Sequence, residues 1–175
     1  MEVRPLPIDG ALLIVPRVFS DERGYFKEAY SLERYREAGI PDAFVQDNVS
    51  RSKRDVLRGL HGDPRMAKLV GVLQGSAFDV IADPRPGSPT YGQWHGEYLR
   101  ADEHRQLYIP AGCLHGFLAL EDGTILTYKQ SAGYDPTQEF GVAWDDPTFA
   151  IAWPLEGRPP LLSPKDACNS SLRPR

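Results

Sequence analysis

Short apolar or alternating stretches recur along this chain between clusters of turn residues, at 11–15, 24–30, 43–49, 56–61, 68–73, 78–82, 106–109, 114–120, 124–130, 140–144 and 149–153. Period-two alternation bounded by Gly, Pro and Asn is the signature of strands, and about ten of them fit here. The 16 glycines and 16 prolines supply the turns that such a rhythm needs. So many short strands in one chain predict an all-β fold, a sandwich or a barrel. One helix is expected, over 31–38, opened by Ser31 as N-cap with Glu33 in the first turn and closed by Gly39 and Pro41; it is short and peripheral. Neither an internal repeat nor a low-complexity tract interrupts the pattern, and 154–164 reads as an extended connection to a short tail. A length of 175 residues is enough for one proper core, so residues 1–175 are expected to form one domain.

One strand carries charges that require a reason. Val56-Leu57-Arg58-Gly59-Leu60-His61 is followed seven residues later by Lys68, which sets two cations and a titratable base among strand-forming residues. Burying an unpaired cation costs several kcal/mol, so the strand either points these groups into a cavity suited to an anion or runs along the surface with a solvated face. Strict alternation places Arg58 and His61 on opposite faces. A bulge at Gly59 would bring them to the same side, and glycine inside a strand commonly marks one.

The net charge of -4 argues against nucleic acid as a partner and leaves a small anionic ligand in a local basic pocket as the natural one. Cys113 and Cys168 stand in unrelated contexts and are expected to be free thiols, Cys113 as a small buried hydrophobe. No apolar run reaches membrane-spanning length and no leader-like segment opens the chain, so the expectation is a cytoplasmic protein without membrane contact.

The turn Pro110-Ala111-Gly112-Cys113-Leu114 before His115 resembles the second motif of cupin jelly rolls. The metal set of metal-binding cupins is incomplete, because His61 is followed by Gly62 and Asp63 and not by a second histidine. His95 and His104 lie in polar segments without ligand-like spacing and are expected at the surface. A metal-free cavity follows, in which a neutral histidine takes a proton and a carboxylate on its other nitrogen fixes its orientation. Asp166 is the candidate orienter, although on the residues alone a turn cap in Ser163-Pro164-Lys165-Asp166 explains it better.

Across nearly the whole chain, ordered blocks resemble the dTDP-4-dehydrorhamnose 3,5-epimerase family of nucleotide-sugar epimerases. They include Val18-Phe19-Ser20-Asp21-Glu22-Arg23-Gly24-Tyr25-Phe26-Lys27-Glu28, Gln46-Asp47-Asn48-Val49-Ser50, Leu57-Arg58-Gly59-Leu60-His61, Lys68-Leu69-Val70 and Asp79-Val80-Ile81-Ala82-Asp83. Later come Ile109-Pro110-Ala111-Gly112 with His115-Gly116-Phe117, Tyr128-Lys129, Tyr134 with Pro136, Trp144-Asp145-Asp146-Pro147, Ile151-Ala152-Trp153-Pro154 and Leu162-Ser163-Pro164-Lys165-Asp166. The resemblance implies a cupin-type jelly-roll barrel and a cofactor-independent isomerase. The implied reaction takes a proton from the carbon beside the C4 ketone of a nucleotide-diphosphate 4-keto-6-deoxy sugar and returns one on the opposite face.

By the same resemblance His61 is the base, Asp166 its orienting partner, Tyr128 the acid on the far side and Lys68 the cation facing the C4 oxygen. Arg23, Arg58, His115 and Lys165 belong to substrate binding, with Gln46, Asn48 and Glu28 orienting sugar and base. Tyr25 resembles an aromatic that stacks on the nucleobase of a neighbouring subunit through an exchanged N-terminal strand, which implies a homodimer. On the residues alone Tyr128 also reads as a barrel-filling aromatic, and Arg23 and Glu28 as surface charges.

Most members resembling this family continue after His61 with an aromatic and Gln, whereas here Gly62-Asp63 and a shorter loop intervene, and Gly133 takes a place often held by an aromatic. The Gly-Leu-His-Gly-Asp form resembles relatives acting on other nucleotide-linked keto sugars, such as GDP-linked heptoses. The expected activity is 3,5-epimerisation of dTDP-4-dehydro-6-deoxy-D-glucose to dTDP-4-dehydro-L-rhamnose. The alternatives are 3-only or 5-only epimerisation, another nucleotide-linked 4-keto sugar and, from another class, a metal-dependent cupin oxygenase or isomerase. A binding module without catalysis is disfavoured by His61, Tyr128 and Asp166 occurring together.

Overall fold

The computed structural model describes residues 1–172. In chain order its elements are β1 (Glu2–Pro5), β2 (Leu12–Val15), β3 (Val18–Asp21), β4 (Gly24–Lys27), α1 (Leu32–Glu37), β5 (Gln46–Ser52), β6 (Leu57–Gly62), β7 (Lys68–Gln74) and β8 (Ser76–Ala82). They continue with β9 (Trp94–Arg100), β10 (Gln106–Ile109), β11 (Leu114–Ala119), β12 (Thr124–Gln130), β13 (Phe140–Gly141) and α2 (Pro164–Ala167). One sheet has the order β1-β2-β10-β7-β12-β5, a second the order β13-β6-β11-β8-β9, and β3 with β4 forms a separate hairpin.

Alternation along the strands sorts side chains into three apolar layers. Leu13, Val70, Val72, Leu107 and Leu126 from the six-stranded sheet meet Ala77, Ile81, Leu99, Phe117 and Ala119 from the five-stranded sheet in one buried cluster, so the two sheets pack face to face. Outside the six-stranded sheet, Ile14, Leu69 and Tyr108 are covered by Tyr35 of α1 and by Ile40. Outside the five-stranded sheet, Leu57, Leu60, Phe78, Val80 and Leu118 are covered by Val142, Phe149, Ile151 and Trp153. The two sheets close on each other through side chains and not through one continuous ladder, in the manner of a jelly roll.

The structure departs from the rhythm in instructive places. Residues 149–153 alternate buried and exposed as a strand would, yet they make no ladder; they lie as an irregular cover over the outer layer, with Ala150 at φ +47. The strand expected over 140–144 shortens to Phe140–Gly141, and the one expected over 43–49 runs instead from Gln46 to Ser52. Ser31 occupies the N-cap position of α1 but its side chain makes no capping bond. Three strands absent from the prediction, β1, β3 and β9, are edge or hairpin strands rich in polar residues.

Candidate active site

The site begins with the irregularity in β6. His61 pairs with His115 and Arg58 with Phe117, so Gly59 and Leu60 together oppose Gly116 alone. This is a bulge, and Gly59 makes it with φ +123. A side chain on Gly59 would meet the Cα of Gly116 at 2.6 Å and the carbonyl oxygen of His115 at 2.8 Å. The extra residue resolves the alternation conflict on both faces at once. Leu57 and Leu60 point to the outer apolar layer, while Arg58 and His61 both line a cavity between the sheets.

That cavity measures about 430 Å³, within the range of small-molecule sites. The six-stranded sheet contributes Gln46, Asn48, Lys68, Tyr128 and Gln130, and the five-stranded sheet contributes Arg58, His61, His115 and Phe117. Lys68 shares the inner face of β7 with Val70 and Val72, which sit two and four residues further on in the apolar layer. The cavity is therefore the polar end of the same interface that forms the core.

His61 Nε2 donates to Asp166 Oδ1 at 2.6 Å. Asp166 is 5% exposed, and its other oxygen accepts from Ser163 Oγ at 2.7 Å while its own N–H donates to Ser163 Oγ at 3.1 Å. The turn-cap and orienter readings of Asp166 are thus one arrangement, with Ser163 at the N-cap of α2 and the carboxylate directed at the imidazole. Burial pushes the His61 ring below its ordinary range, opposed by the negative charges of Asp166 and Glu139. A neutral, oriented imidazole with one ring nitrogen unpaired suits proton abstraction.

Lys68 is 9% exposed, and its ammonium donates to the carbonyl oxygen of His61 at 3.2 Å. Burial pushes it down to about 8 against the pull of Glu139, Asp79 and Asp63. Held among strands with one hydrogen bond, its remaining N–H groups are available to an oxygen that gains negative charge. In the facing sheet, on the strand beside that of His61, His115 Nε2 contacts both oxygens of the fully buried Asp79, at 2.9 and 3.0 Å. Each cavity histidine thus has a carboxylate of its own on Nε2. Among the described residues no group of three His, Cys, Asp or Glu side chains is placed to hold a metal ion.

Of the residues singled out from sequence, His61, Lys68, Tyr128, Asp166, Gln46, Asn48, Arg58, His115 and Lys165 line this one cavity. Gln46 ties the rim together, its amide donating to Asn48 Oδ1 and its carbonyl accepting from the Tyr134 N–H, both at 3.0 Å. Arg23, Tyr25 and Glu28 are not brought to it within the chain. Arg23 pairs with Asp21 on the exposed β3–β4 hairpin, Tyr25 packs at a tilt against His104 with ring centroids 4.3 Å apart, and Glu28 pairs with Arg34. His95, expected at the surface, is partly buried against Glu97 at 2.9 Å. Cys113 and Cys168 are free, the first buried and the second exposed.

Sequence reasoning missed Asp79, Gln130, Tyr134, Glu139 and Ser163 as contributors to the site. Asp79 had a signal, since an ionisable residue in the apolar run 76–82 needs a buried partner. Glu139 had none, because Asp135-Pro136-Thr137-Gln138 before it offers no apolar run against which a charge stands out.

Comparison with known proteins gives a consistent picture. A family model described as dTDP-4-dehydrorhamnose 3,5-epimerase matches residues 5–173. A dTDP-4-dehydrorhamnose 3,5-epimerase of Pseudomonas aeruginosa is 48% identical over 169 residues, covering 95% of this chain and 93% of the relative. A dTDP-6-deoxy-D-glucose-3,5-epimerase of Legionella pneumophila, solved in complex with dTDP-4-keto-L-rhamnose, superposes with a TM-score of 0.93 at 46% identity, covering 98% of this chain and 92% of the other. A 3'-monoepimerase of Streptomyces bikiniensis, solved with dTDP-quinovose, superposes with a TM-score of 0.90 at 38% identity, covering 96% of this chain and 86% of the other.

Proposed function

The chain belongs to the dTDP-4-dehydrorhamnose 3,5-epimerase family, and from that premise we propose that it converts dTDP-4-dehydro-6-deoxy-D-glucose to dTDP-4-dehydro-L-rhamnose, in the cytoplasm and as a homodimer. The observation that carries this reading is the His61–Asp166 pair on one side of a cavity that also holds Lys68 and Tyr128 from the opposite sheet.

In the proposed reaction His61 takes the proton from the carbon beside the C4 ketone. The C–H electron pair moves into the carbon–carbon bond and the ketone π pair onto O4, where Lys68 stabilises the enolate more strongly than it stabilises the ketone. Tyr128 then gives its phenolic proton to the same carbon from the opposite face, inverting it, and both groups re-equilibrate with solvent. Asp166 holds His61 in the tautomer that leaves its other nitrogen free.

Arg58 and His115 bind the diphosphate, with Lys165 nearby, while Gln46 and Asn48 position the sugar. Arg23, Tyr25 and Glu28 complete the nucleotide end of the neighbouring subunit's site through an exchanged N-terminal strand. The exposure of Phe19, Tyr25 and Phe26 on the hairpin, at 50%, 57% and 70%, supports a partner there. Sedimentation is expected to show a dimer, and a monomer at assay concentration would remove the exchange. The two free cysteines fit a reducing compartment.

Incubation with the dTDP-linked substrate in deuterated water tests the activity. NMR is expected to show deuterium at C3 and C5. Exchange at one carbon would establish the second reading, a monoepimerase, which the likeness to the Streptomyces bikiniensis enzyme supports. Absence of exchange, with exchange on a GDP- or CDP-linked keto sugar, would replace the substrate.

A further inference from the structure

A second carboxylate stands beside the base. Strand β13 pairs Phe140 with Gly62 and Gly141 with His61, and this pairing brings the preceding residue, Glu139, into the cavity. Gly62 permits the approach, because a side chain there would lie 2.5 Å from the Phe140 ring. Glu139 Oε1 is 4.0 Å from His61 Nδ1, the ring nitrogen that makes no hydrogen bond, and Oε2 pairs with the ammonium of Lys165. His61 therefore has one carboxylate at each ring nitrogen, of which the proposed mechanism uses only Asp166.

We propose that Glu139 is a positioning residue which, with Asp166, brackets His61 so that the imidazolium formed on proton abstraction is held between two negative charges. The inference rests on His61 being the base. The other charged or titratable groups lining the cavity with His61 are Lys165 beside Asp166, Lys68 on β7, His115 on β11, Tyr128 on β12, Tyr134 in the loop after β12 and Arg58 on its own strand. Lys165 opposes Glu139 directly. Its position links the two helix-borne groups, Asp166 holding the ring and Lys165 moderating the carboxylate on the ring's far side. A carboxylate at this distance favours the protonated ring, and a cation bound to that carboxylate offsets part of the effect.

The first measurement needs no substrate. The chain has four histidines, and His61→Asn assigns the His61 imidazole signal in an NMR titration of the free protein. Glu139→Gln is expected to lower the His61 titration midpoint by about one pH unit, and Lys165→Met to raise it. In deuterium exchange, Glu139→Gln is expected to lower kcat by up to about tenfold with KM little changed, following the loss of basicity. A purely structural role would not move the His61 midpoint in opposite directions in the two variants. A His61 midpoint unchanged by Glu139→Gln overturns the inference. If instead the midpoints move as expected while the wild-type protein exchanges no deuterium, the epimerase reading fails and the electrostatic coupling stands.

Discussion

Replacing Gly59 with Ala tests the origin of the site. The new methyl group would sit 2.6 Å from the Gly116 Cα and 2.8 Å from the His115 carbonyl oxygen, and both obstacles are backbone in a paired strand, so no rotamer change relieves them. Overpacking of this kind costs about 1–3 kcal/mol. The φ of +123 adds about 1–3 kcal/mol of backbone strain for a residue with a Cβ, and the stiffer unfolded chain returns only about 0.4–1 kcal/mol. The expected net loss is about 2–5 kcal/mol in urea unfolding. Gly133→Ala, where nothing lies within 4 Å of the added carbon, is the control and should stay within about 0.5 kcal/mol of wild type. If Gly59→Ala unfolds at the same urea concentration as the control, the bulge is not enforced by the close approach of β11, and the explanation for Arg58 and His61 sharing a face is wrong.

Asp166→Asn leaves Ser163 and the helix cap in place but removes the negative charge facing His61, and deuterium exchange should fall by roughly 10²–10⁴-fold with little change in substrate binding. The pH profile of kcat/KM should have its acidic limb below the ordinary imidazole value of 6.5, because a depressed His61 remains a neutral base to lower pH, and its alkaline limb near pH 8, where Lys68 loses its proton. An acidic limb above pH 7 would contradict the burial argument. Lys68→Met should cost about 10²–10³-fold in kcat yet stabilise the fold at pH 7 by on the order of 2 kcal/mol, since it removes a buried cation. With Lys68 near 8 in the folded protein and 10.5 as its ordinary value, the unfolded chain binds the extra proton between those pH values. Wild-type stability therefore rises through that window, and the Met variant should lose the rise.

The core strands were legible because both sheet interiors impose alternation, and the charges on β6 were legible because a cation among valines and leucines has few places to go. The edge strands β1 and β9 were not. Trp94–Arg100 pairs on one side only and carries mostly half-exposed residues, so its pattern resembles a polar loop. The opposite error at 149–153 has the same root. Phe149, Ile151 and Trp153 alternate because they cover a flat apolar surface, and covering a sheet imposes the same period as belonging to one. Within the site, Lys68 and His61 announced themselves by charge against an apolar background, whereas Glu139 arrives through the pairing of a two-residue strand that no local pattern encodes. The bulge was legible for a simple reason: two side chains required on one face, with a glycine between them, leave the backbone little choice.

The division of the cavity between two sheets has a consequence for proton traffic. His61 belongs to the five-stranded sheet and Tyr128 to the six-stranded sheet. Under the proposed assignment each inversion ends with a surplus proton on the first and a deficit on the second, so the free enzyme exists in two charge states, one primed for each direction of the reaction. Resetting requires hydrogen from water at every cycle. At high turnover this recharging step becomes part of the rate, and product inhibition would then report which charge state the departing sugar leaves behind.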